Sequence, residues 1–318
     1  MKILLVVNAS ASSVTARRQV VVRRMLADRH EVEMAETNRR GHATKLALDA
    51  ARGGTEVVVV LGGDGTLNEV ANGLVGTQCA LAPLPGGSTN VFSRAIGLSD
   101  DPVAATRMTL DSLDAAAIRP VGVGSLNGRY FLFHVGIGWD AALVAEVERH
   151  AELKRYAGHA LFIYAGIRTF FSTYDRTHPH FRVTFEDGST IEDGYFAVCL
   201  NVNPYTFVGT RPFNLAPDTT LDDGLANVCV RSMRTGPFLG LIAAALGSGR
   251  RLERATGIDH RSDLAALTVE ALGEVPYQVD GDYLGTITKM AFRHHPAAMR
   301  LVLPLSGPTP AGRARARS

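Results

Sequence analysis

The stretch Gly62-Gly63-Asp64-Gly65-Thr66-Leu67-Asn68-Glu69 places three glycines in four positions, directly after an uninterrupted apolar run and directly before a segment of helical periodicity. Glycines admit backbone conformations closed to other residues and leave no Cβ in the way of a phosphate, while the first amides of the following helix point at an anion. Asp64, set between glycines, suits a magnesium-linked or water-held position beside such phosphates. No Gly-Lys-Ser/Thr follows, so this is not a Walker A loop. A second loop of the same kind, Pro83-Leu84-Pro85-Gly86-Gly87-Ser88-Thr89-Asn90, also follows an apolar run and precedes a helical segment. Ser88 or Thr89 is expected to cap that helix and offer a hydroxyl to a phosphate. Near the carboxyl end, Asp280 and Asp282 flank Gly281. Moving a phosphoryl group to an alcohol needs charge neutralisation, a metal, and a carboxylate within reach of the hydroxyl. The glycine-loop amides, Asp64 and the pair Asp280/Asp282 supply these functions, with Arg94, Lys154 and Arg155 as basic candidates for phosphate or lipid contact.

The elements that must position these groups alternate. From residue 1 to about 118, short strand-like segments at 3–7, 31–36 and 57–61 are separated by amphipathic segments at 14–27 and 42–52. Ala43, Leu46, Ala47, Ala50 and Ala51 recur at helical spacing, and so do Leu67, Val70, Ala71, Leu74 and Val75. The run 57–61 has no polar alternation, so both its faces are expected to be covered, as in the middle of a parallel sheet. Such alternation predicts a doubly wound α/β domain, with the two glycine loops at the carboxyl ends of neighbouring strands, where open α/β sheets bind ligands. After Pro120 the segments 129–135, 181–185, 195–200, 226–230, 267–270 and 299–303 are short, rich in β-branched or aromatic residues and bounded by turn residues. They predict a β-rich second domain interrupted by helical stretches at 141–174 and 237–247. The expected division is an α/β domain at 1–118, a β-rich domain at 119–305 and a disordered tail at 306–318.

The 318 residues are 46% hydrophobic, enough for roughly two domains at about 100–200 residues each. Lys+Arg 33 against Asp+Glu 31 gives +2, and three of those arginines, Arg313, Arg315 and Arg317, sit in the tail. That balance excludes the strong basic field of a dedicated nucleic-acid binder. Cys79, Cys199 and Cys229 are far apart and odd in number, which fits neither a disulfide framework nor a zinc set and points to a reducing compartment. His178 and His180, around Pro179, lack further ligands at metal-binding spacing and read as a polar loop. No stretch approaches the ~18 apolar residues of a membrane span. The expectation is a cytoplasmic protein, with peripheral contact at the inner face of the membrane through the apolar stretch 161–171 and the arginine-bearing tail. Nothing in the spacing fixes an oligomeric state, and a homodimer stays open.

Gly62-Gly63-Asp64-Gly65-Thr66 followed by Asn68-Glu69, and Pro85-Gly86-Gly87-Ser88-Thr89-Asn90-Val91-Phe92-Ser93-Arg94, resemble the diacylglycerol kinase/sphingosine kinase catalytic-domain family. Gly136-Ile137-Gly138-Trp139-Asp140-Ala141, Leu221-Asp222-Asp223-Gly224-Leu225 and Val279-Asp280-Gly281-Asp282 are similar, in order, to its later motifs. The resemblance runs from Asn8 to about residue 303. It implies ATP-dependent phosphorylation of a lipid hydroxyl, most simply that of diacylglycerol, in a cleft between an N-terminal α/β nucleotide-binding domain and a C-terminal β-sandwich-like domain. By position it implies that Asn8, Ser10 and Ser12 form a first nucleotide-facing loop and that Thr37 makes a second contact. Gly63, Asp64, Gly65, Thr66, Leu67, Asn68 and Glu69 would surround the phosphates, with Gly87, Ser88 and Asn90 completing the ATP site. Asp282 would take the catalytic-base position. Thr220, Asp223 and Leu225 would hold a structural Mg²⁺, Thr220 and Leu225 through backbone carbonyls, since Mg²⁺ takes oxygen ligands.

The chain departs from the family pattern at three points. Asn8-Ala9 replaces Asn-Pro, Ser88-Thr89 replaces Thr-Gly, and Asp282 stands where Glu is common, reaching one methylene less; Asp280 is the alternative base. NAD kinases and phosphofructokinases share a similar Gly-Gly-Asp-Gly loop, but no Thr-Pro-Thr-Gly-Ser-Thr-Ala-Tyr-like segment follows here. An NAD kinase-like soluble kinase and a catalytically weak lipid-binding regulatory protein are the alternative readings.

Overall fold

A computed structural model of the chain describes residues 1–149, 168–169 and 174–305. The expected helical stretch 141–174 falls partly outside these residues, and the stretch 161–171 (but for Arg168 and Thr169), Lys154, Arg155 and the tail 306–318 lie outside the described residues. Two compact units form: Met1–Val121 with the return of the chain from Ala297, and Gly122–Pro296. The first is the α/β domain and the second the β-rich one.

In the first unit, β1 (Lys2–Val7), β2 (Glu31–Glu36), β3 (Val57–Gly62) and β4 (Ala80–Pro85) are parallel, in the order β2-β1-β3-β4. Arg300 and Leu301, at the end of the last strand, pair parallel to Ala80 and Leu81. The segment 299–303, expected in the second domain, therefore closes the sheet of the first unit, which the second unit leaves at Pro296 rather than at 305. The helices are α1 (Ala16–Ala27), α2 (His42–Arg52), α3 (Asp64–Leu74), α4 (Val91–Ala95) and α5 (Pro102–Asp114). α1 starts two residues later than the apolar pattern because Thr15 caps it, its side chain accepting the Arg18 amide. Ile3, Leu5, Val57, Val59, Leu61 and Leu84 form one face of the sheet and pack with Val22, Leu26, Leu110 and Leu113 of α1 and α5. Leu4, Val6, Val58 and Val60 face the other way and are equally buried. This is the two-sided cover that the run 57–61 predicts. α2 and α3 approach closely through small residues: a Cβ on Gly73 would stand 2.5 Å from the Thr44 carbonyl oxygen and 2.9 Å from the Ala47 Cβ.

The strands β5 (Ile118–Leu126), β6 (Arg129–Phe131), β7 (His134–Ile137), β8 (Phe181–Phe185), β9 (Thr190–Gly194), β10 (Phe196–Leu200), β11 (Thr206–Val208) and β12 (Arg211–Phe213) follow. β13 (Leu225–Val230), β14 (Ile258–Leu264), β15 (Ala266–Val279) and β16 (Asp282–Val302) complete the set, with helices α6 (Trp139–Arg149) and α7 (Thr235–Leu246) between them. In the second unit β14, β13, β10, β7 and β15 pair antiparallel in that order, and β15 pairs antiparallel with β16. Along its length β15 pairs with β8 through Leu267–Ala271 and with β7 through Tyr277–Val279, so one long strand serves two groups of neighbours. One apolar layer includes Phe131, Val135, Ile137, Phe181, Val183, Cys199, Leu267, Val269, Met290 and Phe292. A second, with Phe196, Val198, Leu200, Val228, Val230, Phe238 and Leu241, lies under α7. The expected strand 129–135 is broken at Leu132 and Phe133, whose amides leave the ladder for a buried carboxylate described below. All three cysteines are free and buried.

Candidate active site

Each glycine loop ends one of two adjacent parallel strands, β3 and β4, and their backbones meet. A Cβ on Gly86 would lie 2.7 Å from the Gly62 nitrogen, and one on Gly87 would lie 2.9 Å from the Gly63 Cα. Real Cβ atoms do not come that close to backbone, so the approach requires glycine at both positions. α3 begins at Asp64 with no side-chain cap, and its first intrahelical bond runs from the Leu67 amide to the Gly63 carbonyl. The amides of Gly65 and Thr66 have no intrahelical acceptor, which is the anion-binding end of a helix. Gly63, Gly65 and Thr66 are half-buried, whereas Leu67 and Asn68 point into the core.

The Asp64 carboxylate is committed within this frame. Its two oxygens accept the amides of Val91, at 3.0 Å, and Phe92, at 3.2 Å. Asp64 thereby caps α4 across the sheet edge and fixes the second loop to the first. The expected cap by Ser88 or Thr89 is not formed: Asn90 is the N-cap residue, at φ 51°, and makes no side-chain cap bond. Its side-chain oxygen instead accepts the amides of Gly86 and Gly87 at 3.1 and 2.7 Å, and its nitrogen donates to the Gly87 carbonyl and to Asp100. Ser88 is left exposed on the loop.

Glu69 also proves to be a cap. Its carboxylate accepts the amides of Gly41 and Ala43 at 2.7 and 3.1 Å, at the start of α2, and its carbonyl accepts the Thr44 hydroxyl. Asn8 donates to the Thr66 hydroxyl at 2.8 Å, and its Oδ1 accepts the Ser10 amide. Ser10 and Ser12 are exposed, and Thr37, half-buried, donates its amide to the Val7 carbonyl. The guanidinium of Arg94 bonds the Thr89 carbonyl. Sequence reasoning misses Ser13: its amide donates to the Gly86 carbonyl and its hydroxyl to the Gly87 carbonyl, tying the loop after β1 to the second glycine loop. No spacing rule flags a serine acting across 74 residues.

In the second unit, Asp280 and Gly281 are the two central residues of the β15–β16 hairpin, where Val279 pairs with Asp282. Both have positive φ, 48° and 82°, as a two-residue type I′ turn demands. Asp280 is 1% exposed, and its carboxylate accepts the amides of Leu132, Phe133 and His134 at 2.7–3.1 Å. Asp280 is thus a buried anchor for the break between β6 and β7, and Asp282 is half-buried at the start of β16.

Beside this turn lies a polar network that the motif order does not reveal. Gln278 accepts the Gly281 amide at 2.8 Å and donates to Asp140 at 2.8 Å, and the Tyr205 hydroxyl donates to the other Asp140 oxygen. Burial raises the Asp140 carboxyl above the usual carboxylate range, and burial together with the neighbouring Asp140 raises Tyr205. The His134 ring stacks on Tyr205 with centroids 4.5 Å apart, and burial lowers its pKa to about 3, so it is neutral at physiological pH.

Thr220 and Asp223 share one turn. Asp223 accepts both the amide and the hydroxyl of Thr220, at 3.1 and 2.6 Å, and returns its own amide to the Thr220 carbonyl at 3.2 Å. Leu225 is the buried first residue of β13. Among the described residues no three His, Cys, Asp or Glu side chains converge as a metal site. His178 bonds Asp175 and Thr177 in an exposed polar loop.

Residues 2–126 match the sequence model of the diacylglycerol kinase catalytic domain. A "Probable lipid kinase YegS-like" of Pseudomonas aeruginosa is 29% identical over 96% of both chains. A diacylglycerol kinase of Bacillus subtilis is 26% identical over 81% of each. In fold, the crystal structure of a diacylglycerol kinase from Bacillus anthracis superposes with a TM-score of 0.72 at 20% identity, covering 96% of this chain and 97% of that one. Residues 2–126 thus match the diacylglycerol kinase catalytic domain, and over nearly its whole length the chain is similar to proteins named as lipid kinases.

Proposed function

We infer that this protein is an ATP- and Mg²⁺-dependent kinase that phosphorylates the hydroxyl of a lipid alcohol, with diacylglycerol as acceptor and phosphatidic acid as product. The observation that carries the reading is the pair of glycine loops in contact at the ends of β3 and β4, beside the uncapped start of α3. ATP supplies the phosphoryl group transferred. The Gly65 and Thr66 amides orient its phosphates, Thr66 is held in place by Asn8, and the hydroxyls of Ser10, Ser12, Thr37 and Ser88 surround the nucleotide. Asp282 would take the proton from the acceptor hydroxyl as that oxygen bonds to the γ-phosphorus of ATP and the bond from this phosphorus to the β,γ-bridging oxygen breaks, with ADP as the leaving group. The donor set at Thr220, Asp223 and Leu225 is all oxygen, as Mg²⁺ requires, and the Thr220–Asp223 turn is pinned by the Gly224 amide on Asp263 at 2.9 Å. These residues would hold a structural Mg²⁺ that stiffens the turn leading into β13.

The test is incubation of the purified chain with labelled ATP, Mg²⁺ and mixed micelles containing diacylglycerol, monoacylglycerol, sphingosine or a prenyl alcohol. Labelled phosphatidic acid, abolished by chelation of Mg²⁺, is expected. No label on any lipid above the Asp282→Asn background would reject the reading, and transfer to NAD would replace it with the soluble-kinase alternative.

A further inference from the structure

α7 is a surface helix without a polar face. Between Gly236 and Gly247 every residue is glycine, proline or apolar. Phe238, Leu241 and Ala245, at helical spacing, are buried against the second apolar layer, with Phe238 edge-on to Trp139 at 4.9 Å. The opposite stripe, Leu239, Ala243 and Leu246, follows the same spacing but faces outward: Leu239 is 58% exposed and Leu246 39%. A helix on a soluble surface ordinarily carries charged residues there, and one that is apolar all round is covered by something.

The ends of the helix carry the charge instead. Arg234 precedes it, and Arg251 and Arg254 follow it, all exposed and in no ion pair among the described residues. Arg231 and Arg250 are paired with Asp193 and Asp218, and Glu253 is the single acid between residues 231 and 258. The helix is fixed on the unit by the Asn214 amide and side chain, which donate to the Ala245 and Gly247 carbonyls at 2.7 and 3.0 Å. Twelve residues, about 18 Å of helix, cannot cross a bilayer but can lie in its interface.

We propose that α7 is a membrane-docking helix: the Leu239–Leu246 stripe enters the acyl boundary of a lipid surface while Arg234, Arg251 and Arg254 bind anionic headgroups. The apolar stripe flanked by unpaired cations, with a single acid nearby, is the complement of an anionic bilayer. The inference rests on the lipid-kinase reading, because an enzyme whose acceptor is insoluble must collect it from a bilayer. It names a described helix of the second unit, whereas the contact expected through residues 161–171 and the tail lies outside the described residues but for Arg168 and Thr169.

Vesicle co-sedimentation of the full chain tests it, with phosphatidylcholine alone against phosphatidylcholine carrying about one third phosphatidylglycerol. Partitioning to the anionic vesicles is expected to fall about tenfold for each of Leu239→Glu and Leu246→Glu. Neutralising Arg234, Arg251 and Arg254 to Gln should lower it about 100-fold at low salt while leaving partitioning to neutral vesicles unchanged. A Leu239→Cys variant carrying a polarity-sensitive fluorophore should shift to the blue on vesicle addition, an independent readout should a charged variant misfold. Unchanged partitioning in all variants, or no fluorophore shift, overturns the proposal. So does a concentration-dependent dimer that Leu239→Glu dissolves, since a second copy would then cover the stripe. Phosphorylation of a short-chain diacylglycerol in detergent micelles separates the two ideas: it is expected to survive Leu239→Glu. Its absence in the unmodified chain, with vesicle binding intact, would remove the kinase reading and leave the docking helix.

Discussion

Asp64 is the residue whose sequence and structural readings lead to different experiments. Set beside phosphates, it would matter for turnover alone. In the structure it accepts two amides of α4, those of Val91 and Phe92, which are 5% and 0% exposed. Hydrogen bonds to a charged acceptor contribute about 1.5–3 kcal/mol each, and a buried donor left unpaired costs about 1–3 kcal/mol. Asp64→Ala removes both acceptors, so about 3–5 kcal/mol of the first unit's stability is expected to go. Asp64→Asn keeps one oxygen but turns an NH₂ toward an amide, so roughly half that loss is expected. Thermal melts of the first unit's transition should shift by about 2–4 °C per kcal/mol. Binding of a fluorescent ATP analogue should weaken together with stability, because α4 and the second glycine loop move as one piece. A variant that melts like the unmodified chain and binds the nucleotide equally, but turns over no substrate, would refute the argument and return Asp64 to the reaction.

Asp282→Asn should keep the melting temperature and nucleotide affinity while losing turnover; Asp280→Ala, leaving three buried amides unpaired, should cost several kcal/mol and unfold the second unit before any kinetic effect is read, as circular dichroism would show. Gly87→Ala brings a Cβ to 2.9 Å from the Gly63 Cα and should abolish detectable ATP-analogue binding with the chain still folded. Glu69→Gln, which halves the cap on α2, should lower stability by about 1 kcal/mol in urea titrations without changing turnover. His134, lowered to about 3 by burial, binds a proton in the unfolded chain but not in the folded one between pH 3 and 6.5, so its contribution to stability falls as pH drops through that window. Asp140, raised by burial, holds a proton only in the folded chain above the unfolded carboxylate pKa, and pulls the other way. Melting temperatures of His134→Gln should therefore fall less between pH 6.5 and 4.5 than those of the unmodified chain, and parallel curves would contradict the burial argument.

The parallel core of the first unit was legible because its chemistry is local. An all-apolar run of five residues, helical stripes at 43–51 and 67–75, and glycine loops at strand ends each encode their own geometry within a dozen residues. The β-rich unit was legible as strands but not as neighbours, since pairing is set by contacts between residues far apart; nothing in the segment 299–303 says that it will lie beside β4. The same distinction governs the candidate site. Residue types and spacing were enough to find the loops, the carboxylate pair and the order of the motifs, and hence the resemblance to lipid kinases. What each carboxylate does was decided by tertiary structure alone. Asp64, Glu69, Asp280 and Asp282 are equivalent in a sequence, but a carboxylate is committed by whichever amides the fold brings to it. Two from α4 reach Asp64, two from the start of α2 reach Glu69, and three from the break between β6 and β7 reach Asp280. Those amides come from 26 to 148 residues away. Sequence alone thus showed which motifs the chain carries and which proteins it resembles, and only the folded chain showed that Asp64, Glu69 and Asp280 are committed to backbone amides.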